Sequence, residues 1–229
     1  MVPETVPDSI SKYKRNLFLL SWTTTPWSLA ANRAIAYNKD VSYVIVQDNH
    51  DDNYYIISKD LFQTNTELLD LFSADSVICE LDPKEIFPAI RYSHPLKSDL
   101  VMNLYHGSHV TVKAGTGLVH TAPGHGQEDF LLGLEHDLDL SCPVDENGCY
   151  DSTVMNPQLI SQNVLGSGNE KIIELLVRFT FIKELFSILF KFNLIFGKRK
   201  LFSNLWGIHH RQIFSGGVSD QNENQVGRK

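Results

Sequence analysis

Cysteine is scarce in this chain of 229 residues, and Cys79, Cys142 and Cys149 form no C-x-x-C pair. An odd number of cysteines without paired spacing favours neither a disulfide framework nor a cysteine zinc site. The first sixteen residues hold two prolines and two acidic residues before any basic one. That pattern fits neither a secretory signal nor an Arg-rich transit peptide, so we expect a reducing compartment and no targeting signal in this chain.

A long uncharged apolar run is also lacking. The most apolar part, residues 177–202, reads VRFTFIKELFSILFKFNLIFGKRKLF and is interrupted by Lys183, Glu184 and Lys191. A membrane-spanning helix needs about 20 predominantly apolar residues, so we expect no membrane partner. Two alternatives remain open for this part: an interfacial amphipathic helix, or a stretch that packs on another domain or has no selected fold. The polar end, SGGVSDQNENQVGRK, is typical of a disordered tail.

Charge divides the chain into two parts. Residues 1–176 hold 11 basic against 24 acidic residues, whereas residues 177–229 hold 9 basic against 3 acidic residues. Such an asymmetry indicates sequences of different kinds. We therefore predict an N-terminal linker over 1–16, a folded domain over 17–176 and an atypical Phe-rich basic segment with a disordered tail over 177–229.

The predicted domain is mainly β with a few helices, an α+β class. Strands are predicted for NLFLLSW, VSYVIVQD and NYYIISKDLF, and two short strands around a glycine turn for VTVKAGTGLVHTA. Helices are predicted for WSLAANRAIAY, EDFLLGLEH and SGNEKIIELLVRF. Strands at this spacing, without regular alternation with helices, favour a barrel or a sandwich.

The first stretch whose residues could take part in chemistry is SWTTTPWSLAANRA, residues 21–34. Thr23, Thr24 and Thr25 place hydroxyl groups at the end of an apolar strand, and Pro26 cannot continue the hydrogen-bond ladder. A strand that must stop there leaves backbone groups available to a polar ligand. The alternative is that the threonines follow β-propensity and cap a helix near Trp27.

The second stretch is GTGLVHTAPGHGQEDF, residues 115–130. Its glycines allow the backbone to approach a ligand closely, and Glu128 and Asp129 stand where a helix begins. Acids in a first helical turn are more often caps than ligands. His120, His125 and Asp129 could nominally bind a metal, but the glycine-rich loop is poorly suited to a rigid triad, so we predict no metal.

A third stretch, SCPVDENGCY, reads as strand, turn and strand, and we assign it no chemistry. In chain order, the three stretches closely resemble the editing domain of class I isoleucyl-tRNA synthetases. They are the Thr-Thr-Thr-Pro-Trp stretch, the glycine-histidine stretch and SCPVDENGCY. This domain is the inserted connective peptide. The resemblance covers residues 17–176 and is greatest to bacterial and organellar forms.

The resemblance implies a β-barrel-like fold and assigns roles. Asp129 matches a carboxylate that pairs with the α-ammonium group of the aminoacyl ester, and His120 matches the wall that admits valine and obstructs isoleucine. The family places hydroxyls of Thr23, Thr24 and Thr25 around the ester and the attacking water. Trp27 and Asn32 match substrate-binding positions. The implied partner is the 3′ acceptor end of tRNA(Ile), with no metal and no cofactor for editing, since ATP serves only the parent enzyme.

The chain also departs from the family. Ser28 and Ala30 stand where threonine and proline are common, and neither a HIGH-type nor a KMSKS motif is present. We therefore expect no synthetase activity from this chain. Delivery of the tRNA to the editing site would depend on the missing synthetase domains. Residues 177–229 are expected to be a foreign end, from a truncated gene, an alternative transcript or a wrong exon. The expected compartment is cytoplasmic or mitochondrial. The alternative function is that of a non-catalytic remnant that binds only the acceptor end.

Overall fold

The computed structural model describes residues 1–48, 52–65, 68–69 and 72–179. All of them belong to one compact unit, Met1–Phe181. Nine strands are described, namely β1 Pro3–Thr5, β2 Leu17–Leu19, β3 Ala34–Tyr37, β4 Tyr43–Gln47, β5 Tyr54–Ser58, β6 Val77–Leu81, β7 Arg91–His94, β8 Lys97–His106 and β9 Leu118–Thr121. Four α-helices are described, namely α1 Lys59–Thr64, α2 Pro83–Ile86, α3 Gln127–Glu135 and α4 Ser167–Phe179. Five 3₁₀ segments add Asp8–Asn16, Pro26–Ala31, Ala74–Ser76, Phe87–Ala89 and Pro157–Leu159.

The strands form two mixed sheets, which confirms the predicted fold class. One sheet has the order β1-β7-β8-β3-β9, and the other has the order β2-β5-β4-β6. The pairs β3–β8 and β2–β5 are parallel, while the remaining neighbours are antiparallel. Within the described residues each sheet keeps two edge strands, so neither closes into a barrel. In the described residues, the β-barrel-like domain that the resemblance implies consists of two mixed sheets without a closed barrel.

Apolar side chains from both sheets share one core. Strand β4 is buried along nearly its whole length, which explains why YVIVQ lacks the polar alternation of a half-exposed strand. Its Tyr43 packs edge-on against Phe87 at 4.7 Å and donates a hydrogen bond to the carbonyl of Gly117 at 2.7 Å. Gly117 has a φ of 80°, a left-handed conformation that glycine tolerates. The loop before β9 is thereby held against the core.

A second cluster of buried side chains lies under α4. Its members are Leu29, Ala30, Leu96, Tyr150, Val154, Leu159, Val164, Ile172 and Leu175. The helix begins at Ser167 and runs to Phe179, as the sequence predicts. In the part of the chain that the structure describes, every helix is too short or too polar to cross a bilayer. The predicted amphipathic segment beyond residue 179 and the predicted tail lie outside the described residues.

Residues 1–16 differ from the predicted linker. Strand β1 pairs with β7, and the 3₁₀ segment that follows buries Ile10 and Tyr13 in the main core. The α-ammonium group of Met1 donates a hydrogen bond to the carbonyl of Leu19 at 2.8 Å. These apolar side chains and the strand pairing make the segment part of the folded unit.

Two further local predictions were wrong. The predicted helix WSLAANRAIAY is a short 3₁₀ segment followed by β3, because β3 pairs with β8 on one side and β9 on the other. Only the second of the two strands predicted in VTVKAGTGLVHTA forms, as β9, while residues 112–117 are turns and bends.

Candidate functional site

Strand pairing brings the two chemically suggestive stretches together. Ala34, the first residue of β3, pairs with Thr121, the last residue of β9. The threonine loop, residues 21–33, enters β3 at the same end at which the glycine-histidine loop, residues 122–126, leaves β9. An isolated bridge between Trp22 and Val119 adds a second connection between the two stretches. The site therefore lies at this end of the β3–β9 pair.

The threonine loop carries a line of hydroxyl groups. Thr23 Oγ1 accepts a hydrogen bond from the backbone N–H of Thr25 at 3.0 Å and lies 3.4 Å from Thr25 Oγ1. Thr25 Oγ1 lies 3.2 Å from Ser28 Oγ, which also donates to the carbonyl of Thr25 at 2.8 Å. Thr24 and Thr25 are exposed, and Thr23 is half-buried. The loop thus presents hydroxyls to solvent while its own turn is internally bonded.

His120 joins this line from β9. Its side chain is 7% exposed, and its Nε2 lies 3.0 Å from Ser28 Oγ. Burial lowers the pKa of His120 to about 4, with Asp129 acting to raise it and His125 to lower it further. The imidazole is therefore neutral at pH 7. Among the described residues, Nδ1 of His120 is buried without a hydrogen-bond partner.

Asp129 stands in the first turn of α3 and is half-buried. Its Oδ2 accepts a hydrogen bond from the backbone N–H of Ala122 at 2.8 Å, while Gly126 occupies the N-cap position of the helix. Asp129 is thus bonded back to the loop after β9 rather than across its own helix start. A carboxylate has about four lone-pair positions, so one bond leaves capacity for a ligand.

Trp27 and His125 form a further part of the site. Their rings meet edge to face with centroids 4.8 Å apart, and Cys142 Sγ lies 3.8 Å from His125 Nδ1. Burial is the main cause that lowers the pKa of His125. No group of three or more histidine, cysteine or acidic side chains within the described residues is arranged to hold a metal ion.

Asn32 occupies a different place from the one that the resemblance implies. Its side chain is 0% exposed, and its Nδ2 donates to the carbonyl of Ala34 at 2.8 Å. Its Oδ1 accepts a hydrogen bond from the hydroxyl of Tyr92 at 2.7 Å. A fully buried amide with these partners has no surface for a substrate. Asn32 instead stabilises the fold beside the site by linking β3 to β7.

Sequence reasoning missed three residues that contact the predicted ones. Ser28 was noted only as a departure, yet it links Thr25 to His120. Tyr150 and Asn169 hydrogen-bond the backbone of Trp27. No sequence signal connects residues more than 120 positions apart, so only the fold reveals these two contacts.

Comparison with solved structures gives the class of this domain. The crystal structure of GlLeuRS-CP1 superposes with a TM-score of 0.55 at 13% identity, covering 74% of this chain and 86% of that one. At that identity the comparison shows the fold alone, and the fold is that of a connective peptide 1 domain of a class I aminoacyl-tRNA synthetase. No protein-family model matches the chain.

Curated relatives then give the family. The isoleucine–tRNA ligase of Synechococcus sp. is 38% identical over 159 residues, which is 69% of this chain and 16% of the relative. The isoleucine–tRNA ligase of Nitratiruptor sp. is 37% identical over 175 residues, which is 74% of this chain and 18% of the relative. The chain belongs to the isoleucine–tRNA ligase family and corresponds to its editing domain. It spans less than a fifth of the length of these relatives.

Proposed function

We propose that this chain hydrolyses mischarged aminoacyl-tRNA, and that its substrate is Val-tRNA(Ile). The observation that carries the proposal is the convergence of a carboxylate, a neutral buried imidazole and a line of hydroxyls at one end of the β3–β9 pair. A pocket that accepts isoleucine cannot strongly reject valine, which is one methylene smaller. A second site that hydrolyses the smaller product solves this problem.

Asp129 and His120 divide substrate recognition between them. The carboxylate of Asp129 pairs with the α-ammonium group of the aminoacyl ester in a charge-assisted hydrogen bond. His120 is neutral because burial lowers its pKa to about 4, so it does not repel that ammonium group. The His120 ring, whose Nε2 lies 3.0 Å from Ser28 Oγ, forms the wall of the pocket that obstructs the larger isoleucine side chain.

The threonine loop organises the chemistry. Water attacks the ester carbonyl carbon and gives up a proton, the bond from that carbon to the ribose oxygen breaks, and the ribose oxygen takes up that proton. The hydroxyls of Thr23, Thr24 and Thr25 orient the water and the ester, while Trp27 lines the pocket. Positioning and electrostatic stabilisation account for the rate in this scheme. Editing of this kind uses no metal and no cofactor, and ATP belongs to the parent enzymes.

Delivery of the tRNA depends on more than this domain. Residues 1–176 hold 11 basic against 24 acidic residues, and phosphate contacts require lysine and arginine. We therefore place the 3′ acceptor end of tRNA(Ile) in the site and its main binding surface on the other synthetase domains. The alternative function is a non-catalytic remnant that binds the acceptor end without hydrolysing the ester.

Replacement of Asp129 by asparagine tests the proposal. Asparagine keeps an oxygen that can accept the bond from Ala122 N–H but removes the negative charge. Loss of a charge-assisted bond should slow release of valine from preformed Val-tRNA(Ile) by about 10- to 100-fold. Circular dichroism of the variant controls for folding. Equal rates for a folded Asp129→Asn variant and the original chain would contradict the assigned role.

A further inference from the structure

Both backbone polar groups of Trp27 are bonded to side chains that lie more than 120 positions later in the sequence. Its N–H donates to Asn169 Oδ1 at 2.9 Å. Its carbonyl accepts a hydrogen bond from the hydroxyl of Tyr150 at 2.6 Å. Asn169 lies in the first turn of α4, and Tyr150 ends the SCPVDENGCY stretch, to which the sequence assigned no chemistry.

These two bonds act at the point where the threonine loop turns into its 3₁₀ segment. The first N–H groups of a helical segment have no partner inside it, and the N-cap residue Thr25 makes no side-chain cap bond. Asn169 supplies the missing acceptor from 142 positions away. Pro26, with its fixed φ, connects Thr25 directly to Trp27. Fixing the peptide groups of Trp27 therefore restricts the orientation of Thr25.

Tyr150 is firmly placed, and the backbone that carries Asn169 lies close to it. Tyr150 is 2% exposed, and burial raises the pKa of its hydroxyl, so it remains a donor at neutral pH. Gly168 lets the start of α4 approach closely, since a Cβ there would lie 3.0 Å from Tyr150 Cε2 and 2.8 Å from the carbonyl of Asn163. Gly168 N–H in turn donates to that carbonyl at 2.8 Å.

We propose that Asn169 and Tyr150 are positioning residues for the editing reaction, and that they act by clamping the backbone of Trp27. The inference rests on the proposed function, because it assigns these residues to the same site. Neither side chain touches the substrate in this scheme. Their contribution is to hold the threonine hydroxyls and the Trp27 ring in the orientation that the reaction needs.

Four variants of the full chain test the clamp. Asn169→Leu removes the acceptor, Asn169→Asp keeps an acceptor, and Tyr150→Phe removes only the donor. Tyr105→Phe is the matched control, since its hydroxyl bonds Asn103 on the same strand and not the threonine loop. The readouts are kcat and KM for release of valine from Val-tRNA(Ile), and hydrogen exchange of the Trp27 amide relative to the Ile45 amide in β4.

The clamp predicts a kcat about 3- to 10-fold lower for Asn169→Leu and Tyr150→Phe, the range expected for one positioning hydrogen bond. KM should change by less than about twofold, because neither Asn169 nor Tyr150 contacts the substrate itself. Asn169→Asp should restore kcat, and Trp27 should lose exchange protection in Asn169→Leu while Ile45 keeps it. An unchanged kcat in Asn169→Leu and Tyr150→Phe, or equal impairment of Asn169→Asp and Asn169→Leu, would overturn the clamp.

The exchange measurement separates this inference from the proposed function. If the original chain releases no valine, the proposed function fails for the isolated chain, and the assignment of Asn169 and Tyr150 to editing fails with it. Loss of protection at Trp27 alone would then show a purely structural clamp. Unchanged protection would remove the clamp itself.

Discussion

Replacement of Tyr92 by phenylalanine removes one hydroxyl group from the base of the site and leaves a buried oxygen without its partner. Tyr92 and Asn32 are both 0% exposed, and the hydroxyl donates to Asn32 Oδ1 at 2.7 Å. No water can reach an oxygen at that depth without rearrangement. A buried acceptor that loses its partner costs about 1–3 kcal/mol, so we expect the free energy of unfolding to fall by that amount.

Urea unfolding of the full chain at pH 7, followed by tryptophan fluorescence, measures this loss. The midpoint should move to lower urea while the slope m stays constant, because the surface exposed on unfolding is unchanged. Tyr105→Phe is the control, since the half-buried Tyr105 hydroxyl accepts a bond from Asn103 at 2.8 Å and water can replace it. Equal midpoints for Tyr92→Phe and Tyr105→Phe would refute the supporting role given to Asn32.

Two further predictions concern stability. Burial lowers the pKa of His120 to about 4 and that of His94 to about 3. Both folded values lie below the unfolded value of about 6.5, so the unfolded chain binds protons first and stability falls as the pH drops from about 6.5 towards 4. Urea titrations at pH 7.5 and 5 should show this fall, and His94→Gln should make it shallower; the same pH dependence in that variant contradicts the assignment. Gly117→Ala should destabilise the fold by about 1–3 kcal/mol, because φ is 80° and the new Cβ would lie 2.5 Å from Ser58 Cβ. Gly166→Ala, whose nearest contact would be 3.8 Å away, is its control, and equal thermal midpoints for the two variants would argue against the strain.

Features that depend on local sequence were predictable. Residues 167–179 combine apolar periodicity with a polar start, and they form α4 as expected. The start of α3 at Gln127 likewise agrees with the predicted position of Asp129 in a first helical turn. The β-branched and aromatic runs around Tyr43 and Tyr54 form strands.

Features that depend on long-range pairing were not predictable. The alanine-rich residues 34–37 have a helical preference, but two neighbouring strands compete for their backbone groups and make them β3. The sequence resemblance makes Asn32 a site residue. Only the position of Tyr92 in β7 shows that the Asn32 amide is hydrogen-bonded inside the fold. The contact of Asn169 with Trp27, which lies 142 positions earlier, is likewise visible only in the fold.

The measurement that tests the central claim most directly compares release of amino acid from preformed Val-tRNA(Ile) and Ile-tRNA(Ile) by the full chain, with excess chain over tRNA. The site described here predicts release of valine well above the spontaneous rate and little release of isoleucine, because the neutral ring of His120 blocks the larger side chain. Release of both amino acids at equal rates would contradict the role of His120. Release of neither would leave the acceptor-end remnant as the better description of this chain.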